Sequence, residues 1–347
     1  MTKRNKNLLN ISFMLLLFFI TIYVIFSNND IEDVMAQIKG GNYKILACAM
    51  IMMLCSLLCE STMIFIMLKS MHEKIKFPRC VKYSFIGFYY CAITPSASGG
   101  QPAQILYMKK DGYKVTTSSV IILTLVSVYK AVLLMFVAVA MFFNGSMIIS
   151  QLDNLIVFFI FGVLINTFFI VFVILLFVKP SIVRWIIEKT SYLLMKIKLI
   201  KNPDKIISYI NRIMDDYIKS ISYIKDNIII LLPVFALTIL QRFLLFAISY
   251  VVYRFFGLNH LSLLQIISLQ VTLNTAVDSL PVPGGIGASE AAFKHIYSVA
   301  YTESLMIPAM LVTRFINFYY MLIVSAIFSL IAHYLMIRND FRKEDIS

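Results

Sequence analysis

Long apolar segments constrain this chain more strongly than any other feature of its sequence. Residues 156–178, for example, contain no charged side chain. About 20 apolar helical residues cross the hydrocarbon core of a bilayer, which is about 30 Å thick. Of the 347 side chains, 60% are hydrophobic and 14% are charged, against about 25% charged in a typical soluble domain. This composition argues against a soluble enzyme, a disordered chain, a disulfide scaffold or a nucleic-acid-binding protein, and it predicts a polytopic membrane protein.

The apolar runs predict the number of membrane crossings. The first run follows Lys3, Arg4 and Lys6 as in a signal peptide, but no small-residue cleavage site comes after it, so we interpret it as a retained span. We predict six transmembrane helices, at about residues 8–26, 45–68, 116–143, 154–178, 228–256 and 305–336.

The charges between the runs predict the orientation, because cytoplasmic loops of membrane proteins carry an excess of Lys and Arg. Residues 69–82 hold five basic side chains, and residues 179–227 hold ten against five acidic ones. Residues 144–153 hold no Lys or Arg. The net charge of +13 is therefore assigned to cytoplasmic loops, with the N-terminus and the tail 337–347 both on the cytoplasmic side.

Two further apolar stretches are interrupted by proline and glycine. The first is about residues 83–107, broken around Pro95 and Gly99, and the second is about 262–300, broken around Pro281 and Gly284. Either one, as a full crossing, would violate the charge pattern. We therefore predict two re-entrant hairpins of half-helices, since irregular backbone at membrane depth is tolerated only inside protein or beside a wet cavity. Plain interfacial loops are the alternative.

The order of spans and hairpins predicts an internal symmetry. Residues 1–143 give two spans, a hairpin and a span, and residues 151–336 give the same order from the opposite side. Residues 144–227 serve partly as the linker. The predicted fold is thus an all-α polytopic membrane protein with six transmembrane helices and two broken re-entrant hairpins, arranged as an inverted-topology repeat. In transporters of this kind, the substrate site lies at the repeat interface.

Residues 181–225 form the one sizeable polar segment. Apolar side chains recur there at helical spacing, from Ile206 to Ile224, among basic residues such as Arg212 and Lys219. This pattern predicts a cytoplasmic amphipathic helix that lies on an anionic leaflet. An ordinary connector between the two repeats is the alternative.

Ionisable residues inside apolar segments indicate a structural or functional role, because a charge at the centre of a span costs about 2.5–3.5 kcal/mol on insertion scales. Three deep cations outnumber the carboxylates counted as their partners, Glu60 and Asp278, and this surplus predicts a bound anion. Internal salt bridges without a ligand are the alternative. The residues concerned are Glu60, Lys130, Arg242, Asp278, Glu290 and Arg314.

The two breaks supply further candidate contacts. Half-helices that start near Gln101 and Ala288 would aim free N–H groups and positive dipole ends at the breaks, and such helix starts bind anions. Glycine there lets backbone approach a ligand closely. The predicted binding positions are Ser98, Gly99, Gly100, Gln101, Gly284, Gly285 and Gly287.

Other chemistry has no support in the sequence. The five cysteines and four histidines form no metal-ligand spacing, and no P-loop or Ser-His-Asp pattern occurs. We predict no catalytic residue, no metal and no cofactor. The cysteines are interpreted as small apolar packing residues.

At the breaks the chain resembles a known family. The segments TPSASGGQPAQILYMKKDGY (94–113) and LPVPGGIGASEAAF (280–293) are similar to the two signature regions of the lysylphosphatidylglycerol synthase transmembrane family, also called flippase-like integral membrane proteins. Many members carry an acidic residue where this chain has Gln101. The resemblance implies the handling of an anionic lipid in a bacterial cytoplasmic membrane. In two-domain members a separate soluble domain makes the aminoacylated lipid and confers resistance to cationic peptides.

Three functions remain open at this point. The leading one is translocation, or flipping, of an anionic lipid, such as an aminoacylated phospholipid or a polyprenyl-phosphate-linked lipid. In it, Lys130, Arg242 and Arg314 hold the head group, while Glu60, Asp278 and Glu290 pair the cations or carry coupling protons. The alternative is the membrane component of a phosphatidylglycerol lysyltransferase that acts with a separately encoded catalytic enzyme, since the longest polar segment, 179–227, is too short for such a domain. The third is a non-transporting scaffold.

Overall fold

The computed structural model describes residues 31–94, 98–196, 203–277 and 288–344. Throughout those ranges the regular structure is helical, which confirms the predicted all-α class. A π-helical segment, Phe315–Tyr320, joins the last two helices. The helices are α1 Ile31–Lys39, α2 Tyr43–Ser70, α3 Phe77–Ala92, α4 Gly100–Lys110, α5 Val115–Leu152, α6 Ile156–Val178, α7 Pro180–Lys196, α8 Pro203–Asp226, α9 Leu231–Phe255, α10 Leu263–Val277, α11 Ala288–Ile296, α12 Glu303–Arg314 and α13 Met321–Glu344.

Among the described residues, four helical stretches are long and apolar enough to cross a membrane: Tyr43–Ser70, Val115–Val178, Ile228–Phe255 and Glu303–Ala332. The five predicted spans that follow residue 30 match these stretches, and two of them, 116–143 and 154–178, share Val115–Val178. The first predicted span, 8–26, lies outside the described residues. The count of six and the inverted repeat therefore stay predictions.

The stretch Val115–Val178 contains a reversal of the chain. Asp153 has a φ of 33° between α5 and α6, a conformation that non-glycine residues rarely adopt. Helices α5 and α6 pack against each other on either side of this residue. The two therefore run as a helical hairpin rather than as one continuous rod.

Helices α2 and α9 pack along each other at the centre of the molecule. Around them, α3 packs against α13, and α10 packs against both α5 and α6. Buried side chains of α2, α9 and the segment after α12, such as Leu57, Ile248 and Ile316, share one hydrophobic cluster. The first hairpin thus packs against α13 of the second half of the chain, and the second hairpin packs against α5 of the first half and against α6.

Each interrupted stretch contains two helices. In the first, α3 and α4 pack on each other around a break that includes Thr94 and Gly99. The Thr94 hydroxyl donates to the Tyr90 carbonyl at 2.6 Å and accepts from the Gly99 N–H at 2.9 Å, which satisfies backbone groups at the turn. In the second, α10 and α11 also contact each other, and the connection 278–287 lies outside the described residues. The depth of either hairpin in a membrane remains a prediction.

The amphipathic helix α8 differs from its sequence-based interpretation. Its apolar side, including Met214, Tyr217 and Ile221, is buried in one cluster with residues of α2, α4 and α5. The Tyr217 hydroxyl donates to the Leu176 carbonyl at 2.9 Å, and burial raises the pKa of Tyr217 to about 12, so this donor stays protonated. The expectation that this face lies on a lipid leaflet is wrong, because protein already covers it.

Helices α6 and α10 approach each other closely at a glycine. A Cβ added at Gly162 would lie 1.9 Å from the carbonyl oxygen of Thr275. Small residues of this kind let transmembrane helices pack backbone to backbone. Helix α10, the first helix of the second hairpin, therefore packs closely against α6.

We expect Gly162→Ala to lower the thermal stability of the detergent-solubilised protein. The added methyl group meets a backbone oxygen that cannot rotate away, and overpacking of this kind costs about 1–3 kcal/mol. Gly145→Ala on α5 is the matched control, because a Cβ there meets nothing within 4 Å. Thermal denaturation followed by light scattering measures the difference, and equal midpoints for the two variants would contradict the contact.

Candidate functional site

A polar cluster lies among α2, α4, α5 and α9. We call it the Arg242 cluster, and its members are Glu60, Gln104, Tyr129, Lys130, Gln241 and Arg242. Gln104 of α4 donates from Nε2 to Oε1 of Glu60 on α2 at 2.6 Å. The Arg242 guanidinium is within electrostatic range of that same carboxylate. The second helix of the first hairpin is thus linked to the central helix pair through a carboxylate.

Two cations of this cluster share one aromatic ring. The Arg242 Cζ atom lies 3.9 Å from the centroid of the Tyr129 ring, and the Lys130 Nζ atom lies 5.1 Å from the same centroid. Arg and Lys are attracted to the face of such a ring. The two positive groups are therefore no farther apart than the sum of these distances, although they belong to different helices.

Arg242 has an incomplete set of hydrogen bonds. Its Nε is buried and has no hydrogen-bond partner, and an Nη2 contact to Oε1 of Gln241 is long, at 3.4 Å. Gln241 is itself held by a bond from its Nε2 to the Ser56 carbonyl at 3.1 Å. Among the described residues, Arg242 has no ion-pair partner within 4.0 Å. A guanidinium has five N–H donors and no acceptor, so this one can take an anion.

A second polar cluster joins α11 to the end of α12. This Arg314 cluster consists of Ser289, Glu290, Arg314 and Phe318. Arg314 donates from Nε to Oε1 of Glu290 at 2.8 Å and from Nη2 to the Ser289 hydroxyl. Ser289 donates in turn to Oε2 of Glu290 at 3.0 Å. Glu290 is buried, so the pair is a desolvated, doubly hydrogen-bonded salt bridge.

The charge surplus expected from the sequence is smaller than counted, because Glu290 pairs with Arg314. The sequence-based count included only Glu60 and Asp278 as carboxylate partners of the three cations. Asp278 lies outside the described residues, so its partner is not assigned. Within the described ranges, Arg242 has no carboxylate within 4.0 Å, although Glu60 is within electrostatic range of it.

The Arg314 cluster lies close to the break of the first hairpin. The Arg314 Cζ atom is 5.7 Å from the centroid of the Phe318 ring, and Phe318 packs with Ala92, the last residue of α3. Phe318 belongs to the π-helical segment Phe315–Tyr320. Such segments occur frequently at functional sites. The second helix of one hairpin and the break of the other thus meet through Arg314 and Phe318.

Two of the glycines predicted to contact a ligand, Gly99 and Gly100, are described by the structure and make contacts within the protein instead. A Cβ at Gly100 would lie 2.2 Å from Sγ of Cys91 and 2.7 Å from the carbonyl oxygen of Gly87. Gly100 therefore lets α4 approach α3, which corrects the expectation that it makes room for a ligand. Gly99 donates its N–H to Thr94, so that group does not face an anion.

The remaining predicted contacts differ in accessibility. Ser98 is exposed and Gln101 is partly buried. Positions 284, 285 and 287 (all glycine) lie outside the described residues. The candidate site is therefore built on Lys130, Arg242 and Arg314, with backbone contributions at the second break still a prediction.

Sequence reasoning missed several members of the two clusters. Tyr129 precedes Lys130 and supplies the ring for both cations, and Gln104 follows Gln101 by three residues. An amide or a tyrosine inside an apolar run is the signal that could have pointed to them, since each must find a polar partner in the membrane. In the described ranges, no group of three His, Cys, Asp or Glu side chains could hold a metal ion.

Comparison with protein families gives a match over most of the chain. The model of the family described as "Lysylphosphatidylglycerol synthase TM region" matches residues 8–325. This range includes both hairpins, the Arg242 cluster and the Arg314 cluster. No curated protein matches the chain.

We expect Arg314→Gln to destabilise the protein, because it leaves the buried Glu290 without a countercharge. Breaking a buried pair from one side costs about 3–5 kcal/mol. The double variant Arg314→Gln with Glu290→Gln should recover most of this loss, since it removes both charges together. A double-mutant cycle on thermal denaturation midpoints measures the coupling, and strictly additive effects would show that the pair does not form.

Proposed function

The chain belongs to the family of lysylphosphatidylglycerol synthase transmembrane regions, and on this premise we propose that it translocates an anionic lipid across the cytoplasmic membrane of a bacterium. The family match supports a membrane protein with a lipid-related role. The proposal adds where the lipid head group binds. A phosphate head group binds at Lys130 and Arg242, while the acyl or prenyl tails remain in the lipid.

One observation carries this proposal, namely the unsatisfied guanidinium of Arg242 beside Lys130. A charge in the membrane interior costs several kcal/mol unless it is paired, and a buried donor without an acceptor adds about 1–3 kcal/mol. Phosphate oxygens supply both the charge and the acceptors, and a guanidinium matches them with two parallel hydrogen bonds. A bound anion therefore removes the cost that the protein alone leaves in place.

Tyr129 and Gln241 give this site its geometry. The ring under Arg242 restricts the guanidinium plane, and Gln241 is anchored to the backbone of α2 at Ser56. A binding group held in this way loses little conformational freedom when the ligand arrives. The guanidinium N–H groups are the part that a head group contacts.

The Arg314 cluster takes the second role in the proposed cycle. Its salt bridge to Glu290 fixes α11 against the π-helical segment. In the inverted-repeat scheme, the two hairpins open toward opposite sides of the membrane. Arg314 then exchanges Glu290 for the head group as the second hairpin moves, and Glu60, Asp278 and Glu290 pair the cations or carry coupling protons. Backbone at Gln101 and at residues 284–288 completes the proposed lining.

A second candidate function comes from the description of the family itself. That description names the transmembrane region of a synthase, so the chain could serve as the membrane component of a phosphatidylglycerol lysyltransferase together with a separate catalytic enzyme. Aminoacylated lipid that forms in vesicles supplied with the catalytic enzyme and aminoacyl-tRNA, and in greater yield when this chain is present, would favour this candidate. Movement of added lipid without any new lipid product favours translocation.

We expect Arg242→Gln to slow the transbilayer movement of fluorescent phosphatidylglycerol in reconstituted vesicles by roughly tenfold to hundredfold, since hydrogen bonds to a charged group are worth about 1.5–3 kcal/mol. Arg254→Gln is the matched control, because Arg254 lies in the last turn of the same helix and is exposed. It should move lipid at the wild-type rate. Quenching of outer-leaflet fluorophore by dithionite follows the rate, and an unchanged rate in Arg242→Gln would remove the proposed head-group site.

The lipid that co-purifies with the protein gives a second, independent measurement. Lipid extraction of the wild-type protein followed by mass spectrometry should be enriched in an anionic class over the surrounding membrane. The Arg242→Gln protein, with one of the two clustered cations removed, should lose most of that enrichment. Equal lipid profiles for the two proteins would contradict binding at Arg242, whatever the transport assay shows.

A further inference from the structure

Within residues 180–190 of helix α7, one large hydrophobic side chain is exposed. Trp185 is the one tryptophan of the chain, and 62% of it is exposed. On the other side of the same helix, Val183 and Ile187 pack against the core cluster of α2, α4, α5 and α8. The helix is therefore fixed in rotation, and Trp185 points away from the protein.

The orientation of α7 is also fixed by its neighbour α8. Arg184 donates from Nη2 to Oδ1 of Asn211 at 3.1 Å and forms an ion pair with Glu188 at 2.9 Å. The exposure of Trp185 is thus not the result of a loosely placed helix. The tethered helix thus holds Trp185 on the outside of this fold.

The position of α7 along the chain indicates which partner that is. The helix starts two residues after α6 ends at Val178, and α6 is uncharged and exposes large apolar side chains along its length, among them Phe168, Ile174 and Val178. Such a surface is covered by acyl chains when a helix spans a membrane. Since only Lys179 separates α6 from α7, the start of α7 lies where the acyl chains give way to head groups.

The charges around Trp185 fit the same surroundings. Lys179 and Lys189 are exposed, and Arg184 and Glu188 offset each other, so this face carries a net positive charge. Tryptophan is enriched at the boundary between acyl chains and head groups. Basic side chains beside it attract anionic lipids by about fivefold each, by the scale for residues near such a surface.

We propose that α7 is a membrane-surface helix whose Trp185 inserts into the head-group region of the adjacent leaflet, with Lys179 and Lys189 in contact with anionic lipid. This assigns the surface contact predicted for residues 181–225 to α7 instead of α8. It also gives the connector between the two halves of the chain a fixed height relative to the bilayer. The proposal does not depend on lipid translocation.

Intrinsic fluorescence tests the insertion directly, because all tryptophan emission of the full chain comes from residue 185. The protein is reconstituted in vesicles of phosphatidylcholine and phosphatidylglycerol, with bromine placed either high or low on the acyl chain. We expect strong quenching by the high position, weaker quenching by the low one, and a severalfold smaller Stern–Volmer constant for acrylamide than that of free N-acetyltryptophanamide. Acrylamide quenching equal to that of the free compound, with no quenching by bromine, would overturn the proposal, and it is the outcome expected if this face instead binds a soluble protein.

A separate experiment tests the proposed contact of the basic side chains with anionic lipid. With bromine carried only by phosphatidylglycerol, quenching of Trp185 should exceed that from brominated phosphatidylcholine at the same mole fraction. Lys189→Glu should abolish this preference, whereas Lys219→Glu on α8 should keep it. The control residue is exposed on a helix whose apolar face is buried in protein. Equal quenching by the two lipids in the wild-type protein would refute the contact with anionic lipid.

Discussion

The need to satisfy polar groups without water governs this structure. Hydroxyls within the spanning helices donate back to carbonyl groups one turn earlier, as Thr124, Thr238 and Thr313 do. Longer polar side chains reach across helices, and Gln104 on Glu60 is the clearest case. In a membrane each such bond replaces one that water would otherwise make. Contacts between helices are therefore specified by polar residues as much as by apolar packing.

Against this background the two arginine clusters differ in kind. Arg314 has a carboxylate and a hydroxyl as partners, and the pair ties α11 to the π-helical segment. Arg242 has a tyrosine ring, a long contact to Gln241 and a buried Nε without a partner. One cation is satisfied by the protein and the other is not. Equal treatment of Lys130, Arg242 and Arg314, as the sequence suggests, would miss this division between a cation paired with a carboxylate and one whose hydrogen bonds are incomplete.

Much of the architecture could be predicted because its causes are local. The length of the second apolar run predicted the ends of α2 to within two residues of Tyr43 and Ser70. The Pro/Gly interruption predicted the break between α3 and α4. The pairing of Arg314 with Glu290 could not be predicted, since it depends on how α11 meets α12. The buried face of α8 could not be distinguished from a membrane-binding face, because an apolar stripe has the same spacing whether protein or lipid covers it. Tyr129 was not predicted as a member of the site, because an aromatic residue in a span usually serves only in hydrophobic packing.

Close packing at glycine bears on how such a protein could move. Gly87 and Gly100 bring α3 and α4 so close that a single methyl group at either position would meet the partner helix. Because packed interiors are bistable rather than continuously deformable, α3 and α4 are expected to shift as one body. Their links to the rest of the chain, the Gln104 bond to Glu60 and the contact of Ala92 with Phe318, reach the Arg242 cluster and the Arg314 cluster respectively. A displacement of the first hairpin therefore changes the surroundings of both cations at once, which is the coupling that the proposed alternating access to one anionic head group would require.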